Sequence, residues 1–85
     1  MSIDAQIRRV IALHAKIPVD IETVDEGADL FNKGMTSHAS INVMLALEEE
    51  FDFEFPERML RKSTFESIAS IRSAVDELVS PRPAE

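Results

Sequence analysis

Apolar residues recur at intervals of three and four in three segments of this 85-residue chain, a spacing that places them on one face of an α-helix. The segments are 3–17, 37–51 and the region that follows Ser63. Pro18 ends the first segment, and Phe55 before Pro56 disfavours helix beyond the second. The only alternation typical of a strand is PheAspPheGluPhe at 51–55, and a single strand has no partner. We therefore expect an all-α fold in which this pentad is a loop that buries its phenylalanines.

Capping signals predict where the other helices begin. Ser2 is expected to cap the first helix, and Pro56 to start a short helix at 57–61. Ser63 and Glu66 have the spacing of a capping box, which predicts the start of the last helix. The architecture expected is a small antiparallel four-helix bundle with three longer helices and one short one.

The connection 18–36 lacks a clear period, but its apolar residues are expected to pack onto the bundle. These anchors are Val19, Ile21, Val24, Leu30 and Phe31. The chain has room for a single domain, which we place at 1–80, followed by a disordered tail at 81–85.

Composition restricts the class of function. Without cysteine, the chain has no disulfide scaffold, no cysteine-based zinc site and no cysteine nucleophile. Sixteen acidic residues against nine basic ones disfavour binding to nucleic acid or to anionic membranes, and favour basic protein partners. No apolar run reaches the roughly 18 residues that a membrane span needs. We expect a cytoplasmic monomer that does not insert into membranes.

The second helix presents two neighbouring stripes. The predicted core stripe consists of Ser40, Val43, Met44, Leu47 and Phe51, and the stripe beside it of Ser37, Ile41, Leu45 and Glu48. Ile41 and Leu45 either lie at the margin of a thin core or form a docking surface, and periodicity leaves both interpretations open.

Ser37 lies where a glycine-containing loop becomes a helix. Backbone N–H groups and the positive end of the helix dipole favour an anion at such a position. The hydroxyl of Ser37 therefore either caps the helix, the commoner role of such a serine, or carries an anionic group such as a phosphate ester.

Catalytic and metal sites are not expected. Ser37 and His38 are adjacent, so on a helix they point about 100° apart and do not form a nucleophile and base. His14 is predicted on the apolar face of the first helix, and two distant histidines make no metal site.

The segments AspLeuPheAsnLysGlyMetThrSerHis at 29–38 and IleAsnValMetLeuAlaLeuGluGluGluPheAspPheGluPhePro at 41–56 resemble the acyl carrier proteins. The resemblance implies that a phosphopantetheinyl transferase attaches 4′-phosphopantetheine from coenzyme A to Ser37. It also implies a carrier rather than an enzyme, which holds an acyl group as a thioester and delivers it to acyltransferases or synthases.

The chain departs from the Asp-Ser-Leu triplet of that family, because Ser37 lies between Thr36 and His38. The predicted third helix is basic where the family is acidic, which implies a specialised carrier with dedicated partners. The residues expected to contact those partners are Thr36, His38, Ile41, Leu45, Glu48, Glu49, Arg58 and Arg61.

Three functions remain open on the sequence alone. The main interpretation is an acyl carrier for specialised lipid or secondary metabolism. The alternatives are a carrier of an aminoacyl group loaded by a dedicated ligase, and an acidic helical interaction module without a prosthetic group.

Overall fold

The computed structural model of the protein describes residues 3–79 and contains three α-helices in that range. They are α1 (Ile3–His14), α2 (Ser37–Phe51) and α3 (Ile68–Val79). Short 3₁₀ turns occupy Ile21–Thr23, Glu57–Met59 and Lys62–Thr64, and none of these 77 positions from 3 to 79 is in a strand. The all-α prediction is confirmed. The predicted cap at Ser2 and the tail at 81–85 lie outside the described residues.

The fourth helix expected at 57–61 is a 3₁₀ turn, Glu57–Met59. Met59 donates its N–H to the carbonyl of Pro56 at 2.9 Å, and the backbone of Leu60 then leaves helical geometry. Met59 is the one buried residue of this turn. A single apolar anchor is enough to hold a turn, but it gives no apolar face along which a helix could extend.

The helix α3 starts later than the predicted capping box. Ser67 and Ser70 form reciprocal hydrogen bonds, since each hydroxyl accepts the backbone N–H of the other at 3.1 Å. The prediction based on Ser63 and Glu66 was wrong. In a helix that began there, the backbone carbonyl of Glu66 would accept the N–H of Ser70, but it accepts the N–H of Leu30 at 2.7 Å instead. A contact with the distant loop thus displaces the helix start toward the C-terminus.

The helix α1 packs against both α2 and α3. The largest fully buried side chains of the core are Ile7, Ile11, Leu30, Val43, Leu47, Ile68, Ile71 and Val75. Within α2, Val43 and Leu47 are fully buried, whereas Ile41 and Leu45 are 52% and 53% exposed. The two stripes predicted for this helix are therefore distinct surfaces, and Ile41 and Leu45 are not part of the core margin.

Beyond Phe51, the last residue of α2, the phenylalanine pentad is a loop as predicted, but Phe51 and Phe53 are only half-buried. Phe55 is buried, and its ring contacts Phe53 at 4.9 Å and Phe65 at 5.2 Å between centroids, both edge to face. Phe51 stacks on Phe53 at 6.1 Å. These rings join the end of α2 to the segment that precedes α3.

The loop between α1 and α2 is held by buried anchors and by two arginines. Of the five predicted anchors, Ile21, Val24 and Leu30 are buried, Phe31 is half-buried and Val19 is exposed. From α1, Arg8 donates to the carbonyls of Ile21 at 2.7 Å and Val24 at 2.8 Å.

From α3, Arg72 forms ion pairs with Asp4 at 3.3 Å and Glu26 at 2.8 Å, and Asp4 also pairs with Arg8 at 3.0 Å. Charged groups from α1, the loop and α3 are therefore linked in one network. The long loop is fixed to the helices although it has little regular structure of its own.

The turn before α2 depends on Gly34. Its φ of +113° lies in the region that side chains disfavour, and a Cβ built there would be 2.6 Å from Cδ of Pro18. Pro18 therefore packs against the turn that leads into α2, and the prediction that it ends a first helix reaching residue 17 was wrong. The helix α1 itself ends at His14, and Lys16 then adopts a positive φ of 53°.

Replacing Leu47 by Ala should lower the free energy of unfolding by about 2–5 kcal/mol, because the side chain is fully buried. The matched change Leu45→Ala, on the same helix, should cost no more than about 0.5 kcal/mol because Leu45 is half exposed. Urea unfolding of both variants measures the difference. Equal costs would contradict the assignment of the two stripes.

Replacing Gly34 by Ala should destabilise the protein by about 1–3 kcal/mol, because the new methyl group meets Pro18 and the positive φ becomes strained. The control is Gly27→Ala, whose Cβ would meet only a carboxylate oxygen of Asp25, at 3.3 Å. Thermal unfolding followed by circular dichroism compares the two. A Gly34→Ala variant as stable as Gly27→Ala would show that the turn is not constrained as described.

Candidate functional site

Two buried residues fix the approach to α2. Leu30 and Met35 are both buried, and the N–H of Met35 donates to the carbonyl of Leu30 at 3.1 Å. The chain between them turns back on itself at Gly34, and Thr36, the residue after Met35, lies at the surface. This short turn determines where the helix begins.

Thr36, not Ser37, caps α2. The backbone of Thr36 is extended, and its hydroxyl oxygen accepts the N–H of Ala39 at 3.0 Å. This is the geometry of an N-cap residue. Of the two roles left open for Ser37, capping is therefore already filled by its neighbour.

The Ser37 hydroxyl is exposed and makes no hydrogen bond with any residue between 3 and 79. Only its carbonyl is engaged, accepting the Ser40 hydroxyl at 2.6 Å. The first turn of α2 contains no acidic residue that would repel an attached phosphate. An accessible, unbonded primary hydroxyl in this setting fits a covalent phosphate ester.

An open groove runs between α2 and the chain that follows it, with a volume of about 190 Å³. Its lining includes Ser40, Ile41 and Met44 from α2 and Leu60, Arg61 and Lys62 from the later segment. Ser40 and Ile41 are three and four residues beyond Ser37, so they share its side of the helix. The groove therefore begins one helical turn from the Ser37 hydroxyl.

Leu60 and Lys62 were not among the residues predicted for the site. Leu60 is 50% exposed although it follows the buried Met59. The Lys62 ammonium lies 4.9 Å from the ring centroid of Phe31, in the loop that precedes α2. The predicted helix at 57–61 did not indicate these positions. Leu60 follows the 3₁₀ turn Glu57–Met59 and Lys62 begins the next one, Lys62–Thr64, so their side-chain directions differ from those of a continuous helix.

The two arginines predicted together at the partner surface are separated by the structure. Arg58 forms an ion pair with Glu77 on α3. Arg61 donates from Nε to the carbonyl of Arg58 at 3.0 Å and lines the groove. Arg61 is thus available beside α2, whereas the charge of Arg58 is balanced by α3.

The adjacent glutamates of α2 also differ. Glu48 is half-buried, and its carboxylate accepts the N–H of Phe55 at 2.9 Å, which ties the pentad to the helix. Glu49 is exposed. A substitution at Glu48 removes a contact within the fold as well as a surface charge, so only Glu49 is a clean probe of surface charge.

Both histidines are at the surface. His38 is exposed and has no hydrogen bond to Ser37. The prediction that His14 faces the core was wrong, since it is exposed at the end of α1, beside a shallow hollow shared with Asn42, Leu45 and Glu49. Between residues 3 and 79, His and acidic side chains form no cluster of three or more suited to a metal ion. No helix in the same range is long and apolar enough to cross a membrane.

Comparison with known proteins identifies the family. Residues 5–75 match the family described as "Phosphopantetheine attachment site". The chain is 36% identical over 81 residues to an aminoacyl carrier protein from Agrobacterium fabrum, covering 95% of this chain and 98% of that protein. It is 33% identical over 57 residues to aminoacyl carrier protein 1 from Bradyrhizobium diazoefficiens, covering 67% of this chain and 63% of that one.

Solved structures agree with the sequence relatives. One is a crystal structure of an engineered glycine:[carrier protein] ligase from Bradyrhizobium japonicum complexed with a carrier protein from Agrobacterium tumefaciens and AMP. A chain in it matches with a TM-score of 0.85 and 38% identity, over 87% of this chain and 99% of that chain. A solution structure from Agrobacterium tumefaciens matches with a TM-score of 0.70 and 37% identity, over 88% of this chain and 90% of that chain.

The region that matches the family, 5–75, begins within α1 and ends within α3, and the structural match covers most of the same residues. The chain therefore belongs to the acyl carrier protein family, whose domain carries a covalently attached 4′-phosphopantetheine.

Proposed function

We propose that this protein is an aminoacyl carrier, in which Ser37 bears the 4′-phosphopantetheine and a dedicated ligase loads an amino acid onto it. The observation that carries the proposal is the Ser37 hydroxyl, which is exposed at the start of α2 and unbonded because Thr36 makes the cap. Attachment of the arm requires coenzyme A and loading of the amino acid requires ATP, and we propose the cytoplasm as the compartment that supplies both.

An amino acid is a better-supported cargo than the lipid-type acyl group of the main sequence interpretation. The relative that covers 95% of this chain is named an aminoacyl carrier protein, and the matching crystal structure contains a glycine ligase. An interaction module without a prosthetic group does not account for the family match.

The attachment step uses the Ser37 oxygen as a nucleophile. That oxygen attacks the phosphorus of coenzyme A nearest the pantetheine, the pyrophosphate P–O bond breaks, and the adenosine bisphosphate leaves. The serine proton passes to a base of the transferase, and Mg²⁺ offsets the charge of the pyrophosphate. Because the chain has no cysteine, the thiol that forms the thioester is supplied by the attached arm.

The protein itself contributes by keeping Ser37 and the surface around it accessible to partner enzymes. Thr36 holds the helix start, and Ile41, Leu45 and Glu49 offer partners an exposed strip beside the serine. We propose that His38 and Arg61 complete this contact surface, and that Glu48 and Arg58 support it from within the fold. The transferase, the ligase and later acyltransferases or synthases would each use this surface in turn, with the brief contacts that charge-steered association allows.

Incubation with coenzyme A, Mg²⁺ and a phosphopantetheinyl transferase should add one phosphopantetheine to the native chain and none to Ser37→Ala. The control is Ser40→Ala, which removes a half-buried hydroxyl one turn away and should still be modified once. Intact-mass spectrometry measures all three proteins. Modification of Ser37→Ala would contradict the assignment of the attachment residue.

The modified protein should accept an amino acid from an amino acid:[carrier protein] ligase in the presence of ATP. Intact mass should show one added aminoacyl group, which neutral hydroxylamine should release as expected for a thioester. The competing experiment offers the same protein to a fatty acyl ligase. Loading by the fatty acyl ligase alone would contradict the aminoacyl proposal and return the function to lipid metabolism.

A further inference from the structure

We infer that the exposed side of α2 is an electrically polarised docking surface, positive at the Ser37 end and negative at the far end. The partner that it fits is an enzyme with acidic side chains beside the entrance to its active site, and with basic side chains farther away. The inference deepens the proposed function and rests on Ser37 as the attachment residue.

The positive end consists of Arg61 and Lys62. Both are exposed, and both line the groove that starts at Ser40 and Ile41. Lys62 is held in place over the ring of Phe31, and Arg61 by the carbonyl of Arg58. Neither forms an ion pair with any carboxylate between residues 3 and 79. Their charges therefore face a visiting protein rather than the fold.

Other arginines are already committed to the fold. Arg8 and Arg72 pair with Asp4, and Arg58 pairs with Glu77. The positive charge near Ser37 therefore comes from Arg61 and Lys62, which have no acidic partner among the described residues.

The negative end consists of Glu49, Asp52 and Glu54, which are exposed around an open hollow beside Leu45. None of the three is ion-paired within the described residues. At 1.5 Å per residue along α2, Ser40, where the groove starts, and Glu49 are about 14 Å apart. This separation exceeds the Debye length of about 8 Å at physiological salt, so a partner encounters two distinct fields.

Between the charged ends lie three exposed aliphatic side chains. Ile41, Leu45 and Leu60 are 52%, 53% and 50% exposed. Apolar residues framed by charge are typical of a protein contact, in which burial supplies affinity and the charged rim supplies orientation. A partner whose docking surface is basic throughout would be repelled at the Ser37 end, where the chemistry takes place.

The test uses the transferase that modifies the native protein, because its reaction does not depend on the cargo. Three double variants are compared: Arg61→Glu/Lys62→Glu at the positive end, Glu49→Lys/Glu54→Lys at the negative end, and Arg9→Glu/Lys16→Glu as a control. Arg9 and Lys16 are exposed and line neither the groove beside Ser40 nor the hollow beside Leu45, and their reversal changes the net charge by the same amount as the first variant. Circular dichroism establishes that each variant is folded.

The rate of modification is measured by intact mass at carrier concentrations below KM, at low and at high salt. Each variant of the docking surface should lower kcat/KM about tenfold or more at low salt, and the loss should shrink at high salt. The control should change kcat/KM less than about twofold. Salt sensitivity separates this effect from a general structural defect, which salt would not repair.

Two results would overturn the inference. One is an Arg61→Glu/Lys62→Glu protein that is modified as fast as the native protein or faster, as a basic partner surface would produce. The other is a control that loses as much as the surface variants, which would make net charge rather than placement responsible. Failure of the proposed function has a different signature, namely modification that survives Ser37→Ala or a cargo that is not an amino acid.

Discussion

The burial of Leu30 and Met35 on either side of a tight turn is the constraint on which the rest of the structure depends. Between them, Gly34 adopts a conformation that a side chain would disfavour, and Pro18 fills the space where its Cβ would be. The turn fixes the residue at which α2 begins. Because that residue follows Thr36, the cap is made by the threonine and the next hydroxyl remains free. The chemistry available to the protein thus follows from the packing of its loop.

The charged residues are divided between holding the fold and facing partners. Arg8 and Arg72 secure the long loop through carbonyls and carboxylates, and Glu48 binds the phenylalanine pentad through the N–H of Phe55. Arg61 and Glu49 have no such ionic partners among the described residues, and Arg61 lies beside Ser40 and Ile41 in the first half of α2 whereas Glu49 lies near its end. An acidic total charge therefore conceals a surface whose sign changes along one helix.

The features predicted most accurately from the sequence are those that local interactions determine. The range 37–51 for the second helix agrees with α2, because apolar periodicity and helix propensity are properties of the segment itself. The same periodicity placed Leu47 and Leu45 on different stripes, but it left open whether Leu45 lies at the core margin, and only the structure shows that Leu45 is 53% exposed. The start of α3 was not predictable in this way, because Ser63–Glu66 and Ser67–Ser70 have the same spacing, and the contact between Glu66 and Leu30 favours the second pair.

The site was predicted in outline but not in its charges. Position 37 was identified by resemblance, while the distinction between Thr36 as cap and Ser37 as free hydroxyl needed the backbone geometry. The separate surroundings of Arg58 and Arg61 depend on a 3₁₀ turn at the place where Pro56 predicted the start of a helix. Lys62 gained importance only through its position over Phe31, a contact between residues far apart in sequence.

The covalent modification of Ser37 in the native host tests most directly whether the protein is an aminoacyl carrier. Protein purified from that host under mildly acidic conditions, which preserve thioesters, is digested, and the peptide containing Ser37 is sequenced by tandem mass spectrometry. The account predicts a phosphopantetheine on Ser37, with an amino acid esterified to its thiol in part of the population. An unmodified Ser37, or an arm that carries only fatty acyl groups, would contradict it.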